Sequence, residues 1–489
     1  MSHLAFRLAS AVGLFMAVAV SPAFAQWSSD PANNLTIAAS SGGEQAQPKI
    51  VATADGGFYI SWFNDDSGGY DVYIQRVDAN GNPQMAANGV LVATRDFSST
   101  QDYGLGIDAD GNALLAFRLN DGNGNAQIDV QKVAPDGSLL WGLGGVVVSN
   151  DSGGANSPKI TATGDGNIAV AWSSSVGAIV VQKLDASGAT LWGLTGVSIT
   201  PSAGFFFLAD LHGDADGNVI ASWGAQPSFG NNQMWAQKLA AADGGSLWGT
   251  DPVKVCDGTN GVLQFGNFPP FIPDGAGGAV FVWYTVTTLG DVHVQHILAD
   301  GSAAFPQNGV DASTDTTRGH YEPGGAYDAS TGDIYAIWQE TNSMQTRIGV
   351  YAQRIDNTGA RQWSDTGKVL VPLGVTDQSQ MNALPLAGGV FASWVTNDSP
   401  NPMPIHVARL NADGTYAWTG NVVDIKTAAT DTSRLVGALS ANGYAAWTWT
   451  DNDANFSGDV KAQNINPDGT LGIEAPDDTI FVDGFDGTN

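Results

Sequence analysis

Cysteine is nearly absent. Cys256 stands alone among 489 residues, so no disulfide can close within the chain. Exported proteins often rely on such crosslinks; a chain of this length can rely on a large buried core instead. Cys256 itself reads as a small buried apolar residue rather than a nucleophile. Basic residues are scarce too, 19 Lys and Arg against 48 Asp and Glu. The resulting net charge of −29 argues against nucleic acid and anionic membrane surfaces as partners. After the first 25 residues nothing is apolar enough for a membrane span. No segment carries a convincing run of helical periodicity, and 62 glycines fit a turn-rich all-β chain.

Catalytic signatures are also missing. There is no G-x-S-x-G elbow, no H-E-x-x-H and no phosphate-binding loop. The histidines are His3, His212, His293, His296, His320 and His406. His293 and His296 lie three apart on a strand, on opposite faces, so they do not form a metal pair. Paired carboxylates occur everywhere in so acidic a chain and identify nothing by themselves.

The first 25 residues read as a secretory signal peptide. Arg7 supplies the positive region, Leu8 to Val20 the apolar region, and Ala23-Phe24-Ala25 the cleavage site. The exported chain is expected to begin at Gln26, secreted from a bacterium or held at its cell surface. Arg7 is the only Lys, Arg, Asp or Glu removed, so the remainder is one charge more negative than the whole.

Beyond the leader the chain is a repeat. One marker is an aromatic ending a short β-branched run: Trp62, Phe117, Trp172, Trp223, Trp283, Trp338, Trp394 and Trp447. A second is Gln75, Gln131, Gln182, Gln237, Gln295, Gln353, Ala408 and Gln463. Both recur about every 55 residues, giving eight units. Each divides into four strand-like pieces. In the third unit these are 158–163, 168–172, 179–184 and 196–200, separated by Asp, Asn and Gly turns. Four-stranded units of this kind bury their faces by packing radially, as in a β-propeller. The marker aromatic is read as the wedge between blades, burying roughly 150–250 Å². The eighth unit lacks a fourth strand, and a spare one, Leu35 to Ser40, precedes the first unit. The fold expected is all-β: a single eight-bladed propeller over 26–472, its last blade completed by an N-terminal strand, with a tail at 473–489.

Asp71-Val72-Tyr73-Ile74-Gln75-Arg76-Val77-Asp78-Ala79-Asn80-Gly81, ending in Asn88-Gly89-Val90, resembles a repeat family of exported bacterial proteins with "DxYxQRxDxxGxxxWxxNGV" units. Those proteins are uncharacterised and propeller-like. The resemblance covers nearly the whole chain after the leader and implies fold and location. The chain departs from the pattern at Met85 and Ala408. Thr479 to Asp486 is similar to an "IFxDGFE" tail of exported proteobacterial proteins. Asp185, Gly188 and Trp192 come within one residue of the "DxxTGxxxW" motif of eight-bladed quinoprotein dehydrogenases. Those enzymes often use a vicinal cysteine pair, which this chain cannot form.

The same repeat places the candidate sites. Asp108 to Asn112 and Asp214 to Asn218 look like calcium-loop fragments, but a strand comes directly after each, so they read as hairpin turns. Asp451, Asp453 and Asp459 form the better candidate for a cation such as calcium; no other cofactor is implied. Arg76, Lys132, Lys183, Lys238, Arg354 and Arg409 each come next after the second marker and read as a repeated polar contact within or between blades. The long connections fall on one face and carry Phe97, Tyr103, Phe265, Phe268, Phe271 and Tyr321 as aromatics able to stack on a ligand. The function expected is a monomeric, non-enzymatic binding or adhesion scaffold for an extracellular glycan or protein. The alternative is an exported quinoprotein-like or carbohydrate-active propeller enzyme.

Overall fold

A computed structural model describes residues 26–473, apart from 40–41, 96, 101, 150–153, 176, 201–203, 265–269, 399–402 and 454–456. Residues 1–25, where a signal peptide is expected, residues 474–489, Phe265 and Phe268 lie outside the described residues. Everything regular is β. Eight antiparallel sheets succeed one another along the chain, seven of four strands and one of five. Blade 1 comprises Gln45–Ala52, Phe58–Asn64, Asp71–Val77 and Val90–Ala93, paired in that order. In blade 5 two short strands, Val262–Leu263 and Ile272–Pro273, share Ala279–Val286 as partner. The first strand of each blade lies innermost, and these strands touch their counterparts in neighbouring blades around a central channel.

The second strands run between neighbouring blades and are buried on both faces; Ile168–Ser174 is buried at every residue. Eight apolar clusters fill the spaces between consecutive blades, one per space. Each contains one marker aromatic. The eighth marker needs correction. Trp62 pairs with Tyr73 and Ile60 with Gln75 in blade 1, whereas in blade 8 Trp449 pairs with Lys461 and Trp447 with Gln463. Trp449 therefore holds the repeat position, and Trp447 packs two residues earlier in the same cluster. Period-2 geometry puts both on one face, so spacing alone did not separate them.

A second aromatic series locks blade to blade. In the connection from third to fourth strand, the aromatic of one blade lies against the turn glycine of the next. The pairs are Trp141 with Gly188, Trp192 with Gly244, Trp248 with Gly301, Phe305 with Gly359, Trp363 with Gly414 and Trp418 with Gly469. Met85 takes the place in blade 1, against Gly137. The ring closes with Trp27, which lies against Gly81 and donates its indole N–H to Ala79 O at 3.1 Å. The N-terminal segment thus provides blade 8 with its locking aromatic as well as its outer strand, Leu35–Ala38, which pairs with Gly458–Ile465. This pairing bears out the expected closure.

The second marker and its adjoining cation are structural. Gln182 Nε2 donates to Gly193 O at 2.8 Å, and its Oε1 accepts from Trp192 N at 3.2 Å, fixing the outer connection. Gln75, Gln131, Gln237, Gln295 and Gln353 bind their own connections in the same way. The next residue pairs with the acid of the innermost hairpin: Lys132 with Asp108 at 2.7 Å, Lys183 with Asp165 at 2.6 Å, Lys238 with Asp214 at 2.7 Å. Asp108 and Asp214 also cap their own turns, as hairpin residues do.

Removing residues 26–40 strips blade 8 of its outer strand and Trp27, exposing a sheet edge; size-exclusion chromatography should show aggregation, or calorimetry a much lower Tm. The interblade lock is open to a separate test. Gly301 has φ +86°, and a Cβ there would lie 2.7 Å from Trp248. Gly301→Ala should therefore cost about 2–4 kcal/mol in a denaturant titration.

Candidate functional site

Antiparallel pairing puts the second-to-third loops and the interblade loops on one face, and the short hairpins on the other. From the long-loop face the channel is entered past a set of bulges. The innermost strands of blades 1, 3, 6, 7 and 8 break register where Gln47, Ser157, Glu322, Gln380 and Arg434 adopt φ values of 51°, 51°, 48°, 55° and 59°. Such backbone costs about 1–3 kcal/mol per residue and re-aims the strand's side chains. The bulges are pinned across blades. Gln380 Nε2 donates to Thr432 O at 2.9 Å, and Leu435 N donates back to Gln380 Oε1 at 2.8 Å.

Within lies a cavity of about 880 Å³, lined among others by Gln47, Ser157, Phe207, Gln380, Ser433 and Arg434. A second chamber of about 470 Å³ continues past Val51, Ile107, Ala162 and His212 toward the hairpin face. Lys49, Lys159, Ala209 and Pro270 line both and mark the waist. There Lys49 Nζ lies 2.9 Å from Asp102 Oδ1, and Lys159 Nζ pairs with the other oxygen. Asp210 stands beside them, 3.0 Å from His212 Nε2.

The charges at the waist sustain one another. Burial opposes ionisation of Asp102, but Lys49 and Lys159 outweigh it and hold the carboxyl well below the usual range. At Asp210 burial is likewise outweighed, by His212 and Lys159, and the carboxyl is lowered. Burial lowers Lys49; at Lys159 it is overcome by Asp102 and Asp210, and the ammonium is raised. Neither carboxyl is poised to give up a proton near neutrality, as a general acid must.

Two Thr–His–Asp alignments lie outside the channel. Thr285 Oγ1 is 2.8 Å from His293 Nε2, and His293 Nδ1 is 2.9 Å from Asp311. Thr396, His406 and Asp424 repeat this at 2.9 and 2.7 Å. In both, the threonine proton is committed elsewhere, to Asn260 O at 3.0 Å and to Gln378 Oε1 at 2.8 Å. A histidine cannot draw that proton as a base, so these groups tie neighbouring strands and do not activate a nucleophile.

The structure redistributes the candidate residues. Tyr103 is fully buried, not a surface stacker. It packs on Phe63, lies 5.0 Å beneath the Lys49 ammonium, and donates to Gln47 O at 3.1 Å. It positions the waist instead of touching a ligand. Phe271 is also buried, against Phe281 and His212, because it enters the core between blades 4 and 5 just before the short strand Ile272–Pro273. Phe97 is half-buried on the long-loop face, with the guanidinium groups of Arg118 and Arg95 at 4.5 and 5.3 Å. Tyr321 is half-buried, edge-on to Tyr284, and accepts from Gln345. Asp451 is held by Lys426 at 3.2 Å and Thr430 at 2.7 Å, Asp459 pairs with Lys461, and Asp453 caps Ser457. Among the described residues no group of three His, Cys, Asp or Glu side chains converges as a metal cage.

Sequence reasoning missed Lys49, Asp102, Lys159, Asp210 and Arg434. They lie in or just before first strands, which read as scaffold. The signal was there: Lys49 and Lys159 share one repeat position, each directly after a proline.

No family model matches this sequence, and no curated protein does. Among solved structures it is similar to a protein of unknown function from Dyadobacter fermentans, with 12% identity and a TM-score of 0.41, covering 89% of this chain and 98% of that one. An ulvan lyase of a new polysaccharide lyase family is 11% identical with a TM-score of 0.44, covering 89% and 96%. An endo-arabinase from Bacteroides thetaiotaomicron is 11% identical with a TM-score of 0.32, covering 77% and 98%. Likenesses this distant do not carry over an activity.

Opposite pH responses are expected of two carboxyls. Asp102 is lowered in the folded state, so its contribution is present above the unfolded value near ~4 and lost as pH falls below it. The deficit in Tm of Asp102→Asn should be full at neutral pH and shrink in acid. Asp129, buried and bonded by Gln127, is pushed up by burial to about 7. Its charging costs the fold stability as pH rises from ~4 toward and past that value. Asp129→Asn should therefore gain on the parent chain between pH 5 and pH 8.

Proposed function

We propose that the chain from Gln26 is an exported, non-enzymatic binding scaffold that recognises an extracellular glycan at the long-loop face, where the channel opens. The leader residues with their Ala23-Phe24-Ala25 site support export. The observation that carries the binding reading is the cavity of about 880 Å³ behind the bulges. It falls within the ~300–1,000 Å³ typical of small-ligand sites. It is a deep concavity, which suits a short run of sugar units better than a flat protein patch. Gln47, Ser157 and Ser433 offer hydrogen-bonding side chains to hydroxyls along its wall.

The hydrolytic alternative needs one carboxyl that is protonated near neutrality opposite another that is not. Asp102 and Asp210 are both held low, so the pair at the waist suits retention of a ligand rather than its cleavage.

Glycan arrays probed with the chain from Gln26 test this. Ser157→Tyr, which places a ring in the cavity, should abolish retention while leaving Tm nearly unchanged. Retention that survives the ring but is lost with Phe97→Ser would move the site to the loops. Appearance of shortened saccharide by mass spectrometry would replace binding by catalysis.

A further inference from the structure

The cavity differs in charge from the protein around it. The whole chain carries −29, yet the wall of the larger chamber holds Lys49, Lys159 and Arg434 against a single carboxylate, Asp102. One ammonium lies on each oxygen of Asp102, so its charge is shared and a positive surplus remains. Asp210 lines the other chamber, engaged by His212 and also acting on Lys159; with it counted, three cations still face two carboxylates. Glu322, at the corresponding bulge of blade 6, is not part of the lining.

Arg434 is the distinctive member. It is exposed in the lumen and, among the described residues, forms no ion pair. Its backbone is held at φ 59°, and the adjoining residues Thr432 and Leu435 are fixed by both ends of the Gln380 amide. An interblade strut would not need an exposed guanidinium on a strained residue. A planar fork held ready in a concavity suits a carboxylate or sulfate, which it can bind through two parallel hydrogen bonds.

We infer that the channel's ligand is an acidic saccharide, with carboxylate or sulfate groups seated on Arg434, Lys49 and Lys159. This rests on the glycan reading and narrows it. The selection lies in the charge: an acidic saccharide gains Coulomb attraction at these cations, whereas a neutral sugar gains only their hydrogen bonds.

Calorimetric titration of the chain from Gln26 with three oligosaccharides of equal length tests the inference: oligogalacturonate, sulfated galactan and neutral galactan. At least one acidic oligomer should bind about tenfold or more tighter than the neutral one. Arg434→Gln should remove that advantage, and Arg434→Lys should keep part of it. Because Arg434 forms no ion pair among the described residues, its variants should melt with the parent. Binding of only the uronate or only the sulfate identifies the anion. Equal binding of the neutral galactan, or an unchanged Gln variant, overturns the inference and leaves the glycan reading standing. If no oligosaccharide binds, inorganic sulfate titrated at constant ionic strength separates the two. Arg434-dependent sulfate binding upholds the anion site and overturns the glycan reading, while its absence overturns both.

Discussion

The contact on which the molecule depends is an indole lying on a glycine. A four-stranded sheet cannot bury both faces by itself. In this protein six sheets reach across to the next with one aromatic from the outer connection, Met85 takes that place in blade 1 and Trp27 of the N-terminal segment in blade 8, and the next sheet receives each on a turn glycine whose missing side chain makes room. The contact sits far from the axis, where adjacent blades diverge and apolar packing alone would thin out. Nearer the centre the marker aromatics fill the wedge. Together they set the spacing of the innermost strands, and hence the width of the channel.

The acidity of the chain is explained largely by its turns. Asp78, Asp136, Asp185, Asp243, Asp300, Asp356, Asp413 and Asp468 stand one to a blade in the connection after the third strand, and each accepts a backbone N–H. Such bonds stabilise the charged form: Asp185, Asp300 and Asp413 are lowered first by the hydroxyls of Ser187, Ser302 and Thr415 and then by these N–H groups. Much of the negative charge is therefore architectural. The few lysines and arginines carry more information than the many acids, and those of the channel are placed where no turn needs them.

The fold was legible because it is repeated. Eight aromatics and seven glutamines at one period define the units, and an unpaired strand at each end defines the closure. Legibility failed where a repeat position changes its role. Trp447 and Trp449 share one face two residues apart, and spacing does not choose between them. Tyr103 sits in what reads as a long loop, yet that loop turns inward and becomes the floor under Lys49. The waist was not legible because it is assembled from blades 1 to 5, each contributing one or two residues to a neighbourhood that no linear window contains. The bulges that aim them are φ values of ordinary residues such as Gln47 and Ser157, which composition does not announce.

The closure also orders events in time. Asn34 donates to Gln463 across 429 residues of sequence, so the first part of the propeller to be made waits for the last. Until the third strand of blade 8 exists, Leu35–Ala38 has no strand to pair with, and the ring remains an open arc with an apolar edge at each end. Loop closure over such a span is slow relative to hairpin formation. The blades can therefore fold in sequence as they emerge, while the channel, which takes its wall from both ends of the arc, forms only when the latch engages. A ligand site that requires the whole ring cannot be occupied by an unfinished chain.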